Sequence, residues 1–126
     1  MKKRLIALLG IGIALSLVGV LVGCTFSSFA GSNILAGNDW KVSGSANGDI
    51  DREIDMSTGE LAAFSVESTN TEGTITLEIT QFATKLTIDI SGSYSGAIDL
   101  SDFSSGKIKV NLKCENVKGM DFHASW

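Results

Sequence analysis

The chain has 126 residues, with ten Lys or Arg against fourteen Asp or Glu and a formal charge of −4. An acidic chain lacks the cationic surface with which proteins contact phosphate, so we expect no nucleic-acid partner. Because the chain has two cysteines and a single histidine, it offers little material for nucleophilic or acid–base chemistry. We therefore predict that it is not an enzyme and that it holds no cofactor.

The first 23 residues are predicted to be a signal segment. Two lysines and an arginine at 2–4 precede an uncharged apolar run over 5–22, and Gly23 and Cys24 follow it. Cations stay at the cytoplasmic face while the apolar run enters the bilayer, and a small residue at the scissile bond fits a peptidase cleft. The apolar run just reaches the length of a transmembrane helix, so a retained membrane anchor is the alternative.

The run Leu21-Val22-Gly23-Cys24, placed after this basic and apolar segment, resembles the lipobox of bacterial lipoprotein signal peptides. The resemblance implies that a diacylglyceryl group is attached to the Cys24 sulfur and that signal peptidase II cleaves before this residue. It also implies a protein that acyl chains hold at the extracytoplasmic face of the cell membrane or the outer membrane. Two acyl chains hold firmly, whereas one binds marginally.

Removal of the signal segment changes the charge of the mature part. Seven Lys and Arg then stand against fourteen Asp and Glu, which gives a formal charge of −7. Such a domain is not expected to adhere electrostatically to an anionic membrane surface. We therefore expect the domain to be attached to its partner, the membrane, through the acyl chains alone.

The segment 24–37 is predicted to be the lipidated cysteine and a flexible tether. It is rich in serine, glycine and asparagine, and a coil of this length spans roughly 20 Å. Four apolar residues interrupt it. Ile34 and Leu35 are expected to pack on the domain. For Phe26 and Phe29 two locations stay open, insertion into the lipid interface and packing on the domain.

From residue 38 to residue 126 the sequence predicts one all-β domain. Apolar and polar residues alternate, which is typical of antiparallel strands with one buried and one exposed face. Glycine-containing turns separate the strands at short intervals. We predict an antiparallel β-sandwich, jelly-roll or immunoglobulin-like, of about seven or eight strands. The strongest runs are 74–81, 84–91, 107–115 and 120–126, the shorter ones are 40–44, 49–56, 62–67 and 95–100, and the turns include 47–48, 58–59, 91–92 and 118–119.

The two residues with catalytic chemistry are predicted to point to opposite sides of the sheet. His123 alternates with Phe122 and Ala124, which places it on the solvent side of the last strand. Cys114 follows the inward phase of Leu112, where a thiol is buried and inert. A nucleophile needs a base within hydrogen-bond reach. We therefore predict no catalytic residue.

Four carboxylates alternate in the run 49–56. Asp49, Asp51, Glu53 and Asp55 project from one strand face, where like charges repel unless they are solvated or bind a cation. With Asn47 they resemble the first half of a calcium loop, but the turn glycine and the closing glutamate are missing. A solvated acidic strand is the favoured interpretation and no metal site is predicted, although cation binding by these residues stays open.

The aromatic residues give the remaining functional hypotheses. Tyr94 lies in a Ser- and Gly-rich stretch where a loop could display its ring to a glycan, whereas Trp40 and Trp126 are expected to pack in the core. We predict a non-enzymatic role in binding, adhesion or envelope structure, with an unknown protein or glycan partner. The alternatives are a glycan- or solute-binding module that serves a transporter or hydrolase, and an inhibitor of a cell-wall enzyme.

Overall fold

The computed structural model describes residues 28–126. The signal segment, Cys24 and Phe26 lie outside the described residues. The described part consists of seven strands and one short helix, and every strand pairing is antiparallel, which confirms the predicted all-β fold. The elements are β1 Ser28–Ala36, β2 Asp39–Met56, α1 Thr58–Ala63, β3 Ser65–Thr69, β4 Glu72–Gln81, β5 Thr84–Asp89, β6 Ser93–Ala97 and β7 Gly106–Ser125.

All seven strands belong to one open sheet that is organised around β2 and β7. These two strands pair from Asp39 opposite Ser125 to Met56 opposite Gly106. Along one half of this pair, β1 joins β2, β3 joins β7 and β6 joins β3; we call this half wing A. Along the other half, β4 joins β7 and β5 joins β4; we call this half wing B. The strand β7 is therefore shared by both wings and has a partner on each side.

The two wings meet where β2 and β7 are irregular. The register between these strands shifts twice between Gly44 and Gly48, and such bulges bend a strand and increase its twist. Gly119 in β7 has a φ of 63°, which glycine adopts without strain. The turns predicted at 47–48 and 118–119 are thus bulges inside continuous strands. A tight turn and a bulge both favour glycine. Whether the chain reverses or continues at that glycine depends on the strand with which the following residues pair.

One face of the sheet is buried in both wings, and its side chains form a single core. The inward residues of β7 run through the whole core, from Ile108 in wing B to Ala124 in wing A. The wings also contact each other through side chains, because the Arg52 Nη2 of wing B donates to Asn33 Oδ1 of wing A at 3.0 Å. The wings therefore act as the two layers of the predicted sandwich, although hydrogen bonds join them into one sheet.

The helix α1 replaces the predicted turn at 58–59 and the start of the strand predicted over 62–67. Its N-terminus carries a capping box: Glu60 N–H donates to Ser57 Oγ at 3.2 Å, and Ser57 N–H donates to Glu60 Oε1 at 2.8 Å. The hydrogen bond from the Ser57 backbone is the largest cause that lowers the pKa of the Glu60 carboxyl. Leu61 anchors the helix in the core.

The described part of the predicted tether is an edge strand and not a coil. The strand β1 pairs over nine residues with β2. Gly31 faces Gly44 across this pair, and a Cβ on either residue would overlap the backbone of the other strand. Ile34 and Leu35, which were expected to pack on the domain, lie in β1 and are 55% and 41% exposed. The folded region therefore includes β1, upstream of the predicted boundary at residue 38.

Candidate functional site

The domain has two ends of different construction. The end that we call the bend end contains the bulges of β2 and β7 and the start of β1, because Ser28 lies opposite Asn47. The opposite end, which we call the loop end, contains α1, the 82–83 hairpin loop and the loop over 98–105. The strand β4 runs from Gly73 near the bend end to Gln81 at the loop end. Its eight residue steps correspond to about 26 Å.

Phe82 projects from the loop end and is the most exposed large apolar side chain of the described residues, at 99%. It forms with Ala83 the two-residue loop between Gln81 and Thr84, which pair with each other. Its φ is 52°, in a region that glycine or asparagine normally occupies in such loops. A phenylalanine held there is strained by about 1–3 kcal/mol. Phe82 thus combines strain with full exposure, a combination typical of residues retained for contact with another molecule.

The base of this hairpin is fixed by Gln81, which is 7% exposed. Its Nε2 donates to the Ser104 carbonyl oxygen at 2.7 Å. Its Oε1 accepts from the Ser104 N–H at 2.9 Å and from the Ser104 hydroxyl at 3.3 Å. These bonds satisfy a buried amide that would otherwise be destabilising. They also tie the hairpin to the loop over 98–105, so Phe82 stands on a defined support.

A cavity of about 480 Å³ opens at the same end. Its volume falls in the range of small-ligand pockets. The loop at its mouth is ordered by Asp99, whose Oδ1 accepts from the Ser101 N–H at 3.0 Å. Hydrogen bonds from the side chain and then from the backbone of Ser101 lower the pKa of the Asp99 carboxyl. Apolar side chains dominate the lining, which includes Leu61, Ala62, Ile98, Leu100 and Phe103.

The two candidate catalytic residues lie on opposite faces of β7, as the alternation predicts. Cys114 is buried at 3% exposure, and burial, followed by the negative charge of Asp49, raises the pKa of its thiol to about 11. His123 lies on the outer face, where its Nε2 is 2.7 Å from Asp39 Oδ1. The imidazole is therefore directed to a carboxylate and away from the thiol, and the two cannot act as base and nucleophile.

The four carboxylates of β2 form an acidic row that faces a basic row of lysines on the neighbouring strand β7. Cross-strand pairs of opposite charge stabilise a sheet and remove the repulsion within each row. Lys109 Nζ also lies 3.8 Å from Asp51 Oδ2. Among residues 28–126, no group of three or more His, Cys, Asp or Glu is arranged to hold a metal ion. The directly opposed pairs are Asp49 with Lys113, Glu53 with Lys109 and Asp55 with Lys107.

The aromatic residues are placed differently from one another. Trp40 is fully buried, and Trp126 stacks on Phe64 with ring centroids 6.2 Å apart, so both tryptophans pack as predicted. Tyr94 is part of strand β6 and is partly buried against the core. The loop position considered for Tyr94 is therefore not the one it occupies, because the Ser- and Gly-rich stretch around it pairs with β3.

Sequence reasoning missed Phe82, although one signal for it was present. The runs 74–81 and 84–91 are separated by two residues, which is the spacing of a tight hairpin. The absence of glycine from this loop could have indicated an unusual residue at the tip.

Comparison with known proteins finds no matching family model, no similar curated protein and no similar solved structure. Over residues 28–126, no helix has the length and hydropathy needed to cross a membrane.

Proposed function

We propose that this chain is a lipid-anchored extracytoplasmic lipoprotein whose domain binds a partner protein, without catalysis, through the loop end. The observation that supports binding is Phe82, whose ring is 99% exposed on a strained backbone. Such a ring contributes nothing to the core, whereas aromatic anchors dominate the energetics of protein interfaces. The rigid support from Gln81 lowers the entropy that the ring would lose on binding.

The proposed anchor is supported by the sequence alone. The basic residues at 2–4, the apolar run and the lipobox ending at Cys24 have the order that export and lipidation require. The domain is consistent with such an anchor, because the start of β1 and Phe82 lie at opposite ends. A chain attached near Ser28 would present Phe82 on the far side of the domain.

A second candidate function is inhibition of a cell-wall enzyme. The projecting hairpin favours it, since a narrow tip with one apolar ring can enter an active-site cleft. The glycan-binding alternative has less support, because Tyr94 is packed in β6 and is not displayed in a loop.

Mass spectrometry of the membrane-extracted protein tests the anchor. We expect a mature N-terminus at Cys24 that carries acyl mass, and we expect Cys24→Ser to leave an unprocessed precursor. A water-soluble, unacylated product that begins at another residue would overturn the anchor.

Site-specific photo-crosslinking in intact cells tests whether the loop end contacts a partner protein. A crosslinker at position 82 should yield a defined adduct, and the same group at Lys85, on the side of the hairpin, should not. With the purified partner, Phe82→Ala should weaken affinity by about 30-fold, the effect of losing an aromatic hot spot of about 2 kcal/mol. An unchanged affinity would refute the role of Phe82, and Phe29→Ala serves as the matched control.

A further inference from the structure

The distance between Cys24 and the folded domain is short. Ser28, the first residue of β1, follows Cys24 by four residues. Even a fully extended chain of this length reaches only about 14 Å. Ser28 lies at the bend end, opposite Asn47. If Cys24 carries acyl chains, the bend end is therefore the part of the domain that lies nearest to the bilayer.

The bend end carries an exposed aromatic ring next to Ser28. Phe29 is 41% exposed and shares a shallow cavity of about 280 Å³ with Ala46 and Val117. The ring thus borders this cavity and leaves a large part of its surface exposed. Exposed Trp, Phe and Leu side chains of membrane-associated surfaces are buried at the boundary between headgroups and acyl chains.

The polar groups around Phe29 permit a contact with the bilayer that does not depend on the charge of the lipid. Asn47 and Asn116, which line the same cavity, are uncharged. The ammonium of Lys118 lies 3.9 Å from the Glu72 carboxylate, so this cation has a counter-ion within the domain. The headgroup layer on each side of a bilayer is about 5–8 Å thick, which a projecting ring can enter. Burial of the exposed part of Phe29 is then the favourable term.

We propose that the bend end rests on the bilayer that carries the anchor, with Phe29 in the headgroup layer. This inference depends on the proposed lipidation of Cys24. The occupant of the surface is the lipid itself, since the four-residue connection leaves too little length for another protein to separate the two. The domain then stands on the membrane with its long axis pointing outward. Phe82, at the other end of β4, is held about 26 Å further away.

Fluorescence quenching in vesicles tests this orientation. The acylated full-length mature protein is inserted into phosphatidylcholine vesicles that contain headgroup-spin-labelled lipid. Two variants are compared, Phe29→Trp at the bend end and Phe82→Trp at the loop end. The emission of the wild-type protein, which comes from Trp40 and Trp126, is subtracted. We expect Phe29→Trp to lose most of its added emission and Phe82→Trp to keep its own, with the same result when phosphatidylglycerol is added.

The possible outcomes separate this inference from the function on which it depends. Acyl mass on Cys24 together with unquenched Phe29→Trp, or with quenching at position 82 instead, refutes the orientation and leaves the lipid anchor intact. Absence of acyl mass overturns both. A second measurement guards against a folding defect in the tryptophan variant. Phe29→Ser should let the domain tilt and should increase quenching at position 82 in the double variant with Phe82→Trp, whereas Lys85→Ser should not.

Discussion

The bend end and the loop end of this domain differ in how closely neighbouring segments approach their glycines. At the bend end, a Cβ on Gly44, Gly73 or Gly119 would overlap atoms of a neighbouring segment. At the loop end, a Cβ on Gly37, Gly59 or Gly106 would meet no close neighbour, and side-chain contacts such as those of Gln81 with Ser104 tie the loops together. Backbone geometry tolerates few substitutions, whereas side-chain contacts can be exchanged one at a time. The loop end is therefore the end whose surface chemistry can change without loss of the fold.

The largest expected effect comes from a glycine at the bend end. Gly73 has a φ of 85°, and a Cβ there would overlap the carbonyl oxygens of Glu115 and Asn116. Gly73→Ala should lower the free energy of unfolding by about 2–4 kcal/mol, through backbone strain and overlap. Gly59→Ala in α1, where a Cβ meets open space, should be neutral or stabilising by up to about 1 kcal/mol. Urea denaturation measures both, and equal losses would contradict the difference between the ends.

An intermediate effect is expected at the base of the hairpin. Gln81→Ala removes three hydrogen bonds to Ser104 and should lower the free energy of unfolding by about 1–3 kcal/mol. Ser104→Ala is the matched control, because the two shorter bonds go to backbone atoms and survive the change. It should lose no more than about 0.5 kcal/mol. If both variants unfold at the same urea concentration, side-chain contacts do not stabilise the loop end.

The smallest effect is expected at the hairpin tip, and its sign is reversed. Phe82→Gly relieves the strain of positive φ and should raise the free energy of unfolding by about 1 kcal/mol, after the greater chain entropy of glycine is allowed for. Phe82→Ala removes the same ring but keeps the strained backbone, so it should change stability by less than about 0.5 kcal/mol. Thermal unfolding compares the two. A destabilised Phe82→Gly variant would show that the ring supports the fold.

The strands of wing B were predictable because each turns one face to the core, fully buried in β4 and partly buried in β5. The run predicted over 74–81 is β4, Glu72–Gln81, and the run over 84–91 is β5, Thr84–Asp89. Burial of one face imposes a period of two on the sequence, and the period records which residues point inward. The same pattern placed Cys114 in the core and His123 on the outer face.

Other elements left a weaker record in the sequence. The strand β1 has no buried side chain, so nothing forces its residues to alternate. The continuity of β2 and β7 depends on a partner that is distant in sequence, and a glycine bulge has the same local composition as a glycine turn. The helix α1 is too short to show a period. The spacing of Ser57 and Glu60 was nevertheless a readable capping signal.

The loop end was the least predictable part of the molecule. A phenylalanine in a two-residue loop carries no local mark of its exposure, because most phenylalanines are buried. Its importance follows from φ and from the Gln81 contacts, both of which require the assembled sheet. The acidic row of β2 shows the same dependence, since the basic row that neutralises it lies more than fifty residues later in the chain.

The order of the strands along the chain determines when this domain can fold, because β7 follows all of its partners in sequence. It is the shared partner of β2, β3 and β4, so a nascent polypeptide that lacks Gly106–Ser125 holds only isolated two-stranded pairs. Such pairs are marginally stable in water. Assembly of the sheet must therefore wait until the twenty residues of β7 have been synthesised and released. A polypeptide of this design acquires its native sheet in one late step, after Gly106–Ser125 has become available for pairing.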